Sequence, residues 1–126
     1  MLKLRYRNDA PRRPPRVIIL GCPGCGKTTQ AIELSRRFGL TNINIEKLLK
    51  DEATRNPAIR LRLEISKNSG EPLPDEIVLR VLEERLRQSD CRLNGWILDG
   101  FPENEAQVNL LKSIRIKPNL VVIMEM

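Results

Sequence analysis

The residues best suited to chemistry are Gly21-Cys22-Pro23-Gly24-Cys25-Gly26-Lys27-Thr28, a run that fits G-x-x-x-x-G-K-[ST] and follows the apolar stretch Val17-Ile18-Ile19-Leu20. Its glycines allow successive backbone N–H groups to turn inward around an anion. Lys27 reaches the terminal phosphates as a point charge, and Thr28 offers a hydroxyl to Mg²⁺. A helix beginning at Gly26 or Lys27 aims its positive dipole end at the same place. The chemistry expected is the binding of a nucleotide polyphosphate. The second candidate is Asp99, the acid that closes Trp96-Ile97-Leu98. At the end of a strand beside the phosphate loop it can hold Mg²⁺ together with Thr28; alternatively Asp99-Gly100 is a turn pair in which the aspartate caps its own turn. Cys22 and Cys25 also have C-x-x-C spacing, but the lysine and threonine that follow fit the phosphate loop and not a dithiol. Cys91 stands among polar residues and is expected to be incidental. Three cysteines without a histidine cannot supply a four-ligand zinc site.

These groups need elements to hold them. Val17 to Leu20 is short and wholly apolar, the pattern of a central parallel strand buried on both faces. Thr28 to Phe38 places Ala31, Ile32, Leu34 and Phe38 at helical spacing and stops at Gly39. Asn42 to Ile45 reads as a second strand and Glu46 to Arg55 as a helix, while Asn56-Pro57 starts another that ends at Asn68-Ser69-Gly70. Two prolines and a glycine keep residues 70 to 74 irregular. From Asp75 the i,i+4 pairs Ile77/Val81, Val78/Leu82 and Leu82/Leu86 mark a helix. Trp96 to Asp99 is a buried-type strand, a polar helix follows through Leu111, and Leu120 to Met124 is the last strand. The order β-α-β-α-α-α-β-α-β predicts an α/β fold: a parallel sheet of about four strands with helices on both faces and ligands at the strands' carboxyl ends.

A length of 126 residues suits one domain, 17–126, preceded by an arm, 1–16. That arm holds Lys3, Arg5, Arg7, Arg12, Arg13 and Arg16 against Asp9, so it carries most of the net charge of +6, and its three prolines favour an extended chain. It reads first as a solvated leader or linker, and second as a contact for a protein partner or anionic surface. Aromatics are 3% of the chain, which leaves no stacking platform for nucleic acid. No apolar run is long enough for a membrane span and no secretory leader is evident, so a cytoplasmic setting is expected.

Three ordered motifs, G-x-P-G-x-G-K-x-T (Gly21 to Thr29), G-x-x-x-P-D-E (Gly70 to Glu76) and W-I-L-D-G-F-P (Trp96 to Pro102), resemble the adenylate kinase group of nucleoside monophosphate kinases, most of all the domains of its multi-domain members. The resemblance covers residues 16 to 126. It implies that Gly21, Gly24, Cys25, Gly26, Lys27, Thr28 and Thr29 hold the phosphates of ATP, that Lys27 follows the transferred phosphoryl group, and that Asp99 serves Mg²⁺. It places the acceptor, AMP or a related nucleotide, between Ile43 to Lys50, the turn at Leu73, and Gly100 to Gln107. Lys50 then stands where the group has an arginine for the acceptor phosphate, and Gln107 where a glutamine reads the adenine edge.

The departures from the pattern point the other way. Glu103 replaces a second acceptor-phosphate arginine, Lys50 loses the bidentate fork, and Asn44-Ile45-Glu46-Lys47-Leu48-Leu49-Lys50 lacks the usual threonine and glycine. Members of the group continue beyond the strand near Met126 into an arginine-bearing lid. An arginine there is worth about 10³ to 10⁵ in rate. Two readings therefore stand: a nucleoside monophosphate kinase domain, and an impaired ATP-binding or structural module in a larger assembly, ciliary if it follows the multi-domain members. A shikimate-type kinase leaves the P-D-E and D-G-F-P motifs unexplained, and a GTPase would need an N/T-K-x-D motif that is absent. An exposed sheet edge, open to a protein partner, is expected of a chain that stops before the lid.

Overall fold

A computed structural model describes residues 14–21 and 25–124, so the first thirteen residues of the basic arm, and Cys22, Pro23 and Gly24 of the loop, lie outside the described residues. Four parallel strands, β1 (Arg16–Gly21), β2 (Thr41–Asn44), β3 (Trp96–Asp99) and β4 (Leu120–Met124), form one sheet in the order β2-β3-β1-β4. Between them run α1 (Lys27–Phe38), α2 (Ile45–Arg55), α3 (Pro57–Ser69), α4 (Asp75–Leu86), α5 (Ser89–Asn94) and α6 (Glu105–Ser113). The expected α/β sheet is observed, with one more helix than expected. α5 is a six-residue helix between Gln88 and Gly95, too short for a periodic apolar pattern to announce it.

The strands alternate between two cores. Val17, Ile19, Ile97 and Val122 face Ala31 and Leu34 of α1, whereas Ile18, Ile43, Trp96 and Leu98 face α2, α4, α5 and α6 through Leu48, Val78, Val81, Leu82, Leu86, Cys91 and Leu111. β3 is buried at all four positions, and Ile18, Ile19 and Ile97 are each fully buried. This is why β1 and β3 read as continuous apolar runs: each face of the strand meets a different helical layer.

Two expectations about side chains change. In α1, Ala31 and Leu34 are buried, but Ile32 and Phe38 are exposed, Phe38 because it sits in the last turn. Cys91 is not incidental: it is 2% exposed inside the larger core, and burial pushes its thiol up to about 11. Polar sequence neighbours concealed it, since α5 turns one side only to the core. Arg85 of α4 reaches across and donates to both Asp90 oxygens, at 2.8 and 2.7 Å, fixing α5 against α4.

At the chain's start, Pro15 belongs with the sheet. Its carbonyl accepts from Trp96 N at 2.9 Å, and a Cβ on Gly95 would lie 2.2 Å from that carbonyl oxygen, so only glycine lets the two segments pass. β4 pairs only with β1, leaving its outer edge unpaired among the described residues, and Val121 and Ile123 are exposed on the face opposite α1. The exposed edge expected of the sequence is present.

Candidate functional site

β1 delivers the chain to Gly21 at the carboxyl end of the sheet, next to β3 and its terminal Asp99. The backbone then crowds: a Cβ on Gly21 would lie 2.8 Å from Cys25 Sγ and 3.2 Å from Met124 Cβ. The half-buried Cys25 thiol thus lies against the end of β1, and a side chain at Gly21 would have to push it aside. Gly26 holds φ +83, a left-handed conformation that glycine adopts without strain, and it is the N-cap of α1.

The start of α1 is chemically open. Gly26 has no side chain to cap it and the first turn contains no acid, so the leading N–H groups of Lys27, Thr28 and Thr29 are available to an anion. Lys27 is half-buried, while Thr28 and Thr29 are exposed. The end of β1, Gly26 in its left-handed turn and the uncapped helix have the form a phosphate cradle requires. Gly24, a candidate in the same loop, lies outside the described residues.

Asp99 is 2% exposed, the one buried charged side chain in the described core. By strand alternation it shares the α1 face with Ile97. Its Oδ2 accepts from Asn44 Nδ2 at 3.0 Å, and no cation pairs with it among the described residues. A buried carboxylate held only by a neutral amide is suited to a hard cation, as is the Thr28 hydroxyl. Mg²⁺ needs only one or two protein oxygens when phosphates and water complete its shell, so a cluster of three or more acids is not required, and none occurs among the described residues. The donor set fits magnesium.

The acceptor-side candidates are arranged differently. Leu73 is half-buried in the extended segment before α4, packed against the larger core. Gln107, in the first turn of α6, donates from Nε2 to Asp75 Oδ1 at 3.2 Å and accepts from Glu103 N at 2.6 Å. It therefore joins the P-D-E turn to the D-G-F-P turn. Gly100 holds φ +96, and a Cβ there would meet Ile45 Cγ2 at 2.6 Å. Lys50 lies on the exposed side of α2, with no hydrogen bond or ion pair to Gln107, Leu73 or Gly100. Gln107 thus ties the turn that follows Leu73 to the turn that follows Gly100, whereas Lys50 is exposed on α2.

Two partners escaped the sequence reading, Asn44 on Asp99 and Asp75 on Gln107. Asn44 precedes a helix and was recognisable as an N-cap. Its second bond, to a residue 55 positions away, depends on β2 and β3 being neighbours.

A family model described as adenylate kinase matches residues 19–126. Adenylate kinase 8 of Rattus norvegicus is 40% identical over 116 residues, which cover 92% of this chain and 24% of that protein. An adenylate kinase of Caldicellulosiruptor saccharolyticus is 40% identical over 99 residues, 79% of this chain and 46% of that protein. The chloroplastic adenylate kinase of Zea mays is 34% identical over 112 residues, 89% of this chain and 50% of that protein. The chain spans about a quarter to a half of these relatives. Likeness to a chloroplastic relative assigns no compartment to this chain, and no described helix is long and apolar enough to cross a membrane.

Proposed function

The chain belongs to the adenylate kinase family, and on that premise we propose that it binds ATP with Mg²⁺ and carries a site for transferring the γ-phosphoryl group to AMP or a related nucleoside monophosphate. The observation that carries the reading is the uncapped N-terminus of α1 set beside a buried, cation-free Asp99 on the neighbouring strand. N–H groups of Lys27, Thr28 and Thr29, with the loop backbone from Gly21 to Gly26, donate to the β- and γ-phosphates. Lys27 follows the charge on the phosphoryl group as an acceptor phosphate oxygen bonds to the γ-phosphorus and the bond to the β-phosphate bridging oxygen breaks. Thr28 and Asp99 would hold Mg²⁺, which when bound neutralises phosphate charge. Leu73, Gly100 and Gln107 bound the acceptor, with Lys50 as the basic candidate for its phosphate.

A second reading, an ATP-binding module with weak or no transfer, is favoured by two features. Glu103 is exposed immediately after Pro102, where an acceptor phosphate would meet an anion, and the Gln107 amide is already engaged by Asp75 and Glu103 N. A partner at the β4 edge or the basic arm belongs to the same reading.

Titration of a fluorescent ATP analogue, followed by a coupled assay of transfer from Mg-ATP to AMP, separates the two. Tight binding with turnover supports the kinase, and tight binding without turnover supports the module. Lys27→Ala should weaken the analogue by roughly 10- to 100-fold, the loss of a charge-assisted contact of about 1.5–3 kcal/mol. An unchanged affinity would sink both readings.

A further inference from the structure

Asn44 is the last residue of β2 and the N-cap of α2, so one side chain stands at the junction of sheet and helix. Its Oδ1 accepts from Lys47 N at 3.2 Å, and its Nδ2 donates to Asp99 Oδ2 at 3.0 Å. The two partners require the same amide orientation: a backbone N–H needs an acceptor and a carboxylate needs a donor. Asn44 and Asp99 are also register partners in the β2–β3 ladder, and Gly100 gives way to the Ile45 side chain one position on. Aspartate at position 44 would repel Asp99, and serine would keep the cap without the reach.

We infer that Asn44 is a positioning residue: it fixes the rotamer of the Asp99 carboxylate and ties that acid to the N-terminus of α2, the helix that bears the acceptor candidate Lys50. This rests on the proposed role of Asp99 toward Mg²⁺. With Oδ2 held by Asn44, the carboxylate presents its other oxygen in one direction. Without Asn44 it is free to turn, and the cation loses a preorganised ligand. A shift of α2 relative to β3 would release the same bond, so the acceptor helix and the metal acid are coupled through one amide.

The test uses the whole chain, a fluorescent ATP analogue titrated with and without Mg²⁺, and thermal unfolding. Asn44→Ser is expected to raise the Mg²⁺ concentration for half-maximal enhancement of analogue binding by roughly ten-fold, while metal-free binding stays at the unmodified level. Asp99→Asn, measured alongside, should abolish the Mg²⁺ enhancement. If Asn44→Ser weakens binding equally with and without the metal, the residue serves the fold and the inference fails. Should Asp99→Asn remove the enhancement while Asn44→Ser leaves its half-saturation unchanged, positioning is refuted and the metal role of Asp99 stands. Enhancement that survives Asp99→Asn overturns the metal role and the inference together.

Discussion

The donor and acceptor halves of the candidate site are built on different supports. The donor groups are attached to buried strands: Gly21 ends β1 and Asp99 ends β3, and between them Ile18, Ile19 and Ile97 are fully buried. The acceptor side rests on mixed supports: Gly100 follows buried β3, while Lys50 and Gln107 lie on α2 and α6, which bury Ile45, Leu48, Val108 and Leu111. The helix with the least hold on the core is α3. α3 buries no residue, and Leu61 and Ile65 are exposed on it. Lys50 is exposed, and Gln107 is held by Glu103 N and by Asp75, 32 positions away. A preset geometry suits an anion site, and Gly21 and Asp99 are held at the ends of strands whose packing restricts them. On the acceptor side, α3 is the element with few buried contacts, where local opening is least costly.

Core truncation should expose that difference most strongly. Leu98 is 1% exposed between β2 and β1, and Leu98→Ala is expected to destabilise the chain by about 2–5 kcal/mol. Leu61→Ala on α3 should change stability by no more than about 0.5 kcal/mol. Urea unfolding of the two variants decides it: comparable losses would mean that α3 is as much a part of the core as β3. The next largest effect is at the seam between the halves. Gly100→Ala forces an L side chain into φ +96 and against Ile45 Cγ2, at a cost of about 1–3 kcal/mol. A neutral Gly100→Ala in thermal unfolding would show that α2 yields freely at that contact.

The same asymmetry governs what the sequence disclosed. The donor half was legible because glycine spacing, an apolar run and a following helix are local features, and β1, α1 and β3 formed where these marked them. The acceptor half was less so. α3 formed where Asn56-Pro57 and Asn68-Ser69-Gly70 marked its ends, but the sequence did not mark which of its apolar residues lean on the core: helical geometry separates the half-buried Ile59 and Leu63 from the exposed Leu61 and Ile65. Cys91 and the links Asn44–Asp99 and Gln107–Asp75 could not be read, because each is created by elements distant in sequence meeting in space. The strand order β2-β3-β1-β4, which makes Asp99 a neighbour of the loop, is likewise a property of packing.

Charge reversal probes whether the acceptor half is impaired or merely loose. Glu103 is exposed and its backbone N–H is bound to Gln107, so Glu103→Arg changes the charge without disturbing that bond. An arginine there should strengthen AMP binding by about 0.5–1.5 kcal/mol, two- to ten-fold, and more at low salt. Isothermal titration with AMP measures it. Unchanged affinity would place the acceptor phosphate elsewhere and remove the strongest argument for the impaired module.

The smallest effect concerns the clamp that seats α5 beneath the acceptor-side core. Hydrogen bonding to the Arg85 guanidinium holds the Asp90 carboxyl at about 2, below its ordinary 3.8, and Cys91 N also donates to it at 2.8 Å. A carboxylate with a depressed folded pKa contributes stability above its unfolded pKa and loses it as pH falls through the folded value. The contribution should therefore be constant above about pH 4 and vanish toward pH 2. Because the Asp90 side chain is 45% exposed, solvent screening limits it to under about 1 kcal/mol. Asp90→Asn should unfold at slightly lower urea than the unmodified chain at pH 5, with the gap closing by about pH 2. A gap that persists at pH 2 would assign the stabilisation to packing of α5 through Cys91, and would place the acceptor-side clamp in the same apolar category as β3.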